Sequence, residues 1–351
     1  MKFSFPIKKS DEGERKSEKE RVEERREEVL ARGRKFKYPL QYAKHKLVIN
    51  TAIIALFAVG LMVVAGWVAL YKFQDTGDIM YRVSSIVPVS VAKIDGEGVK
   101  FSDYLMTVRS SLKTLEQQSG LDDSVDDMNA MVNQYKRSAL TQAENLTYAV
   151  KLGKELGIEV SDEEIDKMFN ERRKVGGVER NEESFLKVLS NNFGLSKREY
   201  RRLLYLSIMR AKVEQKIDTE AEKVAKVVSE KLNGNGGNFE RVKEEMGEKV
   251  EYQSTGGMVD NKNVDGGRSE AARALEVGKW SGKILSTNGD GYYFVKLNEK
   301  TETQVNYVSL FVKFTEFEKR LEAVREEGKV VEYITIPGLK DEETPEEEKA
   351  E

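Results

Sequence analysis

The chain has 351 residues, of which 39% are hydrophobic and 34% are charged, and its formal net charge is −3. This length suits two or three domains, and the near-neutral balance offers no basic surface of the kind that binds nucleic acid. The absence of cysteine excludes disulfides, thiol catalysis and cysteine-based metal sites, and the single histidine, His45, excludes any mechanism that needs a second one.

The two ends of the chain are dominated by charge. Residues 8–37 mix Glu and Arg at a spacing that can support a solvated helix, but they carry no apolar stripe and cannot build a core. We therefore expect residues 1–46 to form a charged cytoplasmic tail, solvated or disordered, with a cytoplasmic docking helix as the alternative. The segment 338–351 is expected to be an acidic disordered tail.

The run LVINTAIIALFAVGLMVVAGWVALY, residues 47–71, contains no charged residue. As a helix it would be about 37 Å long, enough to cross roughly 30 Å of hydrocarbon. A cleaved signal peptide would have a shorter apolar core nearer to the start, so we expect an uncleaved anchor in the lipid bilayer. Because the preceding flank is rich in Lys and Arg, we expect the N-terminus in the cytoplasm and residues 72–351 outside it. His45 is expected near the lipid headgroups on that flank.

The first region after the span is predicted to begin with a hairpin and continue as helices. Val91–Ile94 and Val99–Phe101 have the composition of two short strands around a Gly-containing turn. Ser102 is a suitable N-cap for the helix that follows, and apolar periodicity predicts a second helix over residues 126–156. Further on, Ser161 with Glu164 forms a capping-box pattern.

Three stretches of this region, AKIDGEGVKFSDYL, LGIEVSDEEIDKMF and FLKVLSNNFGLSKREYRRLL, occur in a specific order. Ser196, in the third stretch, is predicted to cap the long closing helix. Together the stretches resemble the N-terminal chaperone domain of SurA-type periplasmic chaperones, whose membrane-anchored relatives include PpiD-like and PrsA-like proteins. The resemblance implies a helical chaperone domain that binds unfolded or nascent exported polypeptides, with the secretion translocon as a further candidate partner.

The second region, about residues 219–300, contains a helix, a Gly-rich turn, a second helix and the stretch TGGMVD. A helix that we expect to end at Gly278 follows, and then a β-run after the Asp290-Gly291 turn. This order resembles a parvulin-type (PpiC-like) peptidyl-prolyl isomerase. The family's opening strand does not precede residue 219. A similar strand at 305–313 could complete the sheet in permuted order or by different pairing, and the sequence leaves this open.

The residues at the family's site positions differ from those the resemblance would require. Tyr293 stands where the family has a histidine, Ser309 falls loosely at the second histidine position, and Arg268 falls near an apolar wall of the proline pocket. Prolyl isomerisation has a barrier of about 18–20 kcal/mol, and lowering it needs a dry cradle around the amide. We therefore expect no catalytic residues and an inactive isomerase site, with an active prolyl isomerase as the alternative.

Other motifs are weak as sites. The glycines at 233–237 lack the ending of a phosphate-binding loop, and the polar loop at 260–267 lacks calcium-site spacing. We expect no cofactor and no metal. A helical stripe of Met128, Met131 and Tyr135 fits core packing by default or, alternatively, a yielding surface for clients. Candidate client-binding residues are this stripe together with Tyr292 and Phe294.

The sequence thus predicts an α+β protein with a single N-terminal transmembrane helix. A SurA-N-like helical domain follows, and then a small parvulin-like antiparallel sheet with flanking helices. The expected boundaries are 1–46 (tail), 47–71 (span), 72–218 (chaperone domain), 219–313 (degenerate parvulin-like domain), 314–337 (closing helix and strand) and 338–351 (tail). The closing segment is expected to pack on either the sheet or the helical domain. The predicted function is a membrane-anchored extracytoplasmic chaperone or foldase, with a non-catalytic envelope adaptor or structural protein as a further alternative. Clients and oligomeric state are left open.

Overall fold

The computed structural model describes residues 18–37, 39–118, 125–175 and 178–337. It divides into two compact units, Met1–Val68 and Ala69–Glu351. The start of the predicted charged tail and the whole predicted acidic tail lie outside the described residues.

The first unit contains two helices, α1 (Glu18–Lys37) and α2 (Pro39–Trp67). The described side chains of α1 are all exposed, as its lack of an apolar stripe requires. The helix α2 holds most of the apolar run Lys46–Lys72, the one helical stretch among the described residues that is long and apolar enough to cross a membrane. Its large side chains are exposed all round, for example Leu56 at 76% and Phe57 at 69%. Such a helix has no polar face to turn toward water.

A π-helical turn, Val68–Lys72, leads into the second unit, and its Leu70 is buried in a large apolar core. Around this core the chain forms a helical body. Its elements are α3 (Asp78–Ile86), β1 (Ser90–Ile94), β2 (Glu97–Lys100), α4 (Phe101–Gln118), α5 (Val125–Glu155), α6 (Asp162–Arg172), β3 (Lys174–Val175), β4 (Val178–Glu179), α7 (Glu182–Phe193) and α8 (Lys197–Ile217).

Local signals account for several of these helix starts. Ser161 and Ser196 each accept a hydrogen bond from the backbone N–H three residues on. The Glu164 and Glu199 side chains in turn accept hydrogen bonds from the N–H groups of Ser161 and Ser196, so both pairs form capping boxes. Ser102, in contrast, is not a cap. Helix α4 already begins at Phe101, which was predicted to lie in the returning strand. The buried Phe101 ring packs edge-on against Tyr71 at 5.4 Å, and this tertiary contact fixes the start.

The end of the chain returns to the helical body. Helix α12 (Glu316–Glu326) places Phe317, Leu321 and Val324 in the large core. Strand β10 (Val330–Glu332) pairs antiparallel with β1, which makes a three-stranded sheet in the order β10-β1-β2. The sequence left open whether this segment packs on the sheet or on the helical domain. In the structure it packs on the helical body.

Between α8 and α12 the chain forms a five-stranded antiparallel sheet with helices on both faces. The helices are α9 (Thr219–Gly234), α10 (Phe239–Met246) and α11 (Arg268–Ala274), and the strands are β5 (Glu251–Ser254), β6 (Val259–Asp260), β7 (Ile284–Leu285), β8 (Gly291–Lys300) and β9 (Gln304–Lys313). The order is β5-β9-β8-β7, with β6 also paired to β9. The late strand at 305–313 therefore lies in the middle of the sheet. The helix predicted to end at Gly278 ends earlier, at Ala274, and Gly278 instead occupies a left-handed turn with φ of 81°.

One carboxylate fastens the sheet region to the helical body. Asp218, only 2% exposed, accepts a hydrogen bond from the Ala221 N–H at 2.8 Å and so caps α9. Its other oxygen accepts from the N–H groups of Thr315 and Glu316, at 2.6 and 3.0 Å. Thr315 provides no cap of its own, so Asp218 caps α12 as well.

Candidate functional site

Strand β8 sends alternate side chains to the two faces of the five-stranded sheet. Tyr292 and Phe294 join the apolar cluster formed with α9 and α10, whereas Tyr293, Val295 and Leu297 join the cluster formed with α11. This split follows from the two-residue period of any strand. The α11 face therefore collects the positions singled out in the sequence as the remains of an isomerase site.

Three side chains are stacked on the α11 face. The Arg268 guanidinium lies 4.8 Å from the centre of the Tyr293 ring, and that ring stacks on Phe311 with 4.5 Å between centroids. The Arg268 Nε donates to the Asp265 carbonyl at 2.8 Å, and its Nη1 donates to the Gln253 side chain. The structure thus brings Arg268 and Tyr293 into contact with each other.

A polar network borders this stack. The Asp265 carboxylate accepts hydrogen bonds from the Tyr307 hydroxyl at 2.5 Å and from the Ser269 hydroxyl at 2.5 Å. It also accepts from the Ser269 N–H at 3.0 Å and thereby holds the start of α11. Sequence analysis did not single out Asp265 or Tyr307. An Asp just before a helix start and a Tyr on the same strand face as Phe311 were the available signals.

The proton affinities of Tyr293 and Tyr307, two side chains of this face, are both raised. Burial raises the pKa of Tyr293, with a smaller contribution from the negative charge of Asp290. Burial, together with the hydrogen bond to Asp265, raises the pKa of Tyr307 to about 12. Both tyrosines therefore keep their protons near pH 7 and cannot act as bases there.

Ser309 lies in the middle of the same sheet and is fully buried. It pairs with Val295 on one neighbouring strand and with Gln253 on the other. Its hydroxyl oxygen has no hydrogen-bond partner among the described atoms. Because this hydroxyl is fully buried, a peptide substrate cannot reach it in this conformation. Ser309 is therefore a residue of the sheet interior.

The other sheet face corrects one predicted client contact. Phe294 is 1% exposed and packs in the cluster with α9 and α10, so its side chain is not available to a client. Tyr292 is 4% exposed, and its ring meets Phe314 edge-on at 5.0 Å. Burial, with a hydrogen bond to Glu222, raises the pKa of Tyr292 to about 12. The aromatic-rich composition that suggested a client-binding surface instead belongs to a strand that is buried on both faces of the sheet.

A cleft of about 440 Å³ opens near the Tyr292 hydroxyl. Ile158 and Tyr292 are its apolar residues, and the remaining lining is polar or charged: Lys212, Gln215, Lys216, Asp218, Thr219 and Glu222. Ligand pockets are usually lined mainly by apolar groups. Most of the lining residues are polar or charged, but their apolar atoms supply more of the cleft surface than their polar atoms do.

The methionine stripe on α5 has a different environment. Met128, Met131 and Tyr135 are each half-buried. None of them belongs to the apolar clusters that the described residues form. They are therefore half-buried outside the four apolar clusters of the described residues.

The described residues contain no group of three or more His, Cys, Asp or Glu side chains that could hold a metal ion. His45 lies in α2, but its side chain is outside the part that the structure describes.

Comparison with known proteins gives one family. Residues 40–214, from the start of α2 to the last turn of α8, match the model of the SurA-like N-terminal domain. The match supports a chaperone family of the SurA/PpiD type, which acts outside the cytoplasm. It ends before the five-stranded sheet. Among curated proteins, nothing matches the chain.

Proposed function

We propose that this protein is a membrane-anchored extracytoplasmic chaperone that holds unfolded exported polypeptides without covalent chemistry. The observation that carries the proposal is the SurA-like N-terminal domain over residues 40–214. Since the helical body built from these residues offers no cofactor or nucleotide motif, binding and release are passive.

Anchoring is proposed through the apolar run Lys46–Lys72. Its side chains in α2 are exposed around the whole helix, which would be costly in water and is favourable in lipid. Lys44 precedes the run and Lys46 begins it, whereas Asp75 and Asp78 follow its last residue, Lys72. This asymmetry supports a cytoplasmic N-terminus and a helical body outside the cytoplasm. Tethering raises the effective concentration of the holder beside chains that emerge at the membrane, including those at the translocon.

Clients are proposed to bind the surface of α5 that carries Met128, Met131 and Tyr135. The half-buried state of these side chains and their separation from the apolar clusters support this role. Unbranched thioethers adapt to many partner shapes, so such a surface binds loosely and with little sequence preference.

The sheet region is proposed to be an inactive parvulin-like domain. The stack of Arg268, Tyr293 and Phe311 supports inactivity because it fills the α11 face with the protein's own side chains. A guanidinium in this position also keeps the surroundings polar, which is unfavourable for twisting a desolvated amide.

The holding activity is tested by the aggregation of an unfolded substrate, measured by light scattering with the full chain in lipid nanodiscs. We expect near-stoichiometric suppression, and we expect replacement of Met128, Met131 and Tyr135 by Ser to weaken it several-fold. A matched control replaces two exposed apolar residues of the sheet region, Val264 and Val277, by Ser and leaves suppression unchanged. Absence of suppression at stoichiometric excess would favour a structural adaptor instead.

Isomerase activity is tested separately with a proline-containing peptide in a coupled protease assay. We expect the uncatalysed rate. Catalysis that disappears in Tyr293→Ala would show an active isomerase, and it would leave the holding proposal to be judged by the aggregation assay.

A further inference from the structure

Helix α3 has an uncovered apolar stripe. Ile79, Val83 and Ile86, spaced by four and three residues, lie on one side of the helix and are 72%, 38% and 83% exposed. The opposite side faces the helical body, where Met80 and Tyr81 pack against the large core. A helix apolar on both sides, with one side open, needs a second apolar environment.

The end of the apolar run is built into the same body. Leu70 is 3% exposed, and the Tyr71 hydroxyl donates to the Ser90 carbonyl at 2.7 Å. The Asp75 N–H donates to the Ala69 carbonyl at 3.0 Å, so the chain turns back at once after Lys72. No slack linker therefore separates the body from the point at which the apolar run ends.

The distance along the chain then limits where α3 can be. Helix α3 starts at Asp78, six residues after Lys72, and six residues span at most about 20 Å when fully extended. Phe73, 75% exposed, lies within this short connection. Because Leu70 and Tyr71 already pack in the body, a span that ends just before them leaves the stripe of α3 within reach of the lipid headgroups.

The charges of α3 fit such a surface. Its single acidic residue, Asp78, forms an ion pair with Arg109, whose guanidinium also lies 4.6 Å from the Tyr81 ring centre. Its single basic residue, Arg82, is exposed. The helix therefore presents an exposed cation beside an apolar stripe, a combination typical of helices that lie on a lipid surface.

We propose that α3 lies on the extracytoplasmic lipid surface, with Ile79, Val83, Ile86 and Phe73 inserted at the boundary between headgroups and acyl chains. This inference rests on the proposed membrane anchoring. An interfacial helix of this kind inserts about 5–10 Å.

The absence of native cysteine makes a clean test possible. Single variants Ile79→Cys and Ile86→Cys of the full chain are labelled with a fluorophore in anionic liposomes that contain nitroxide lipids. Val264→Cys, in a loop of the sheet region and 74% exposed, is the matched control, and Leu56→Cys reports on the span. Substitution at such exposed positions leaves the core intact.

We expect strong quenching at Ile79 and Ile86 by a nitroxide near the headgroup, weaker quenching by one at the end of the acyl chain, and no quenching at Val264. A label at Leu56 that escapes both quenchers overturns the anchoring and the inference together. A quenched Leu56 with Ile79 and Ile86 matching Val264 overturns the inference alone. Loss of α3 quenching on adding an unfolded polypeptide would assign the stripe to clients and likewise overturn it.

Discussion

The five-stranded sheet and the helical body differ in how far their apolar side chains are covered. In the sheet, α9 and α10 cover one face and α11 covers the other, and Phe294 and Ser309 are inaccessible as a result. In the helical body, the stripe on α3 is exposed, and the stripe on α5 is half-buried outside the apolar clusters. A closed surface contributes to stability, whereas an open one is available to a partner. Function is therefore best tested in the helical body, whereas stability can be tested in both regions.

The largest expected effect tests whether the end of the chain completes the helical body. Phe317 is 1% exposed, and its ring lies 5.7 Å from that of Tyr148. Phe317→Ala should lower the free energy of unfolding by about 3–5 kcal/mol, because it leaves a cavity in the large core. Chemical unfolding of the full chain in detergent measures this. Phe193→Ala, at a side chain 39% exposed, is the control, and an equally small change in both variants would contradict the packing described.

The next effect tests the join between the two regions. Asp218→Ala removes the acceptor of three backbone N–H groups and should cost about 3 kcal/mol, since one buried and two partly buried donors lose their partner. Asp218→Asn keeps one acceptor oxygen and should cost less. Hydrogen exchange at the amides of Thr315 and Glu316 should accelerate in the Ala variant. Unchanged exchange there would mean that the carboxylate does not hold the start of α12.

A pH-dependent effect is expected where α12 and β10 meet α5. Burial, helped by the negative charge of Glu332, raises the pKa of Glu144 to about 7, against the opposing effects of Arg325 and Arg137. The folded state therefore binds this proton more tightly than the unfolded state. Its contribution to stability is complete below about pH 4.5 and is lost as the pH rises through about 7.

Glu144→Gln should accordingly be more stable than the natural protein at pH 8, by on the order of 1–3 kcal/mol, and nearly equal to it at pH 5. Thermal unfolding at the two pH values measures the difference. Glu326→Gln, at an exposed position of α12, should show no such pH dependence. A constant difference between Glu144→Gln and the natural protein across this range would refute the assignment.

The smallest effect concerns the sheet. Arg268→Ala removes the cation over Tyr293 and the bonds to Asp265 and Gln253, and should cost about 1–2 kcal/mol, because the side chain is only half-buried. Arg273→Ala, at an exposed position of α11, should cost much less. A loss of several kcal/mol for Arg268→Ala would mean that the α11 face is held mainly by this one side chain.

The features that could be predicted from the sequence are those whose partners lie close together along the chain. Ser161 and Ser196 act within one helical turn, so a short window contains all the partners of each cap. The start of α4 was missed because Phe101 is positioned by Tyr71, thirty residues away. The pairing of β10 with β1 and the central place of β9 depend on contacts between distant segments, and no periodicity encodes these.

The candidate site shows the same limit. Tyr293 and Arg268 could be singled out because a resemblance gave their positions, but their stacking with Phe311 depends on strand register. Phe294 was misassigned because a β-run rich in aromatics has the same composition whether one face or both are buried.

The chain departs from the helical body after Ile217 and rejoins it at Thr315, and a single carboxylate grips both crossing points. The sheet region is thus an insertion between α8 and α12, two elements of the helical body. Asp218 thereby closes the gap in the chain path of the helical body, because it holds the start of α12 beside the end of α8. Changes in length or sequence within the inserted sheet region therefore leave the path of the rest of the chain unaltered.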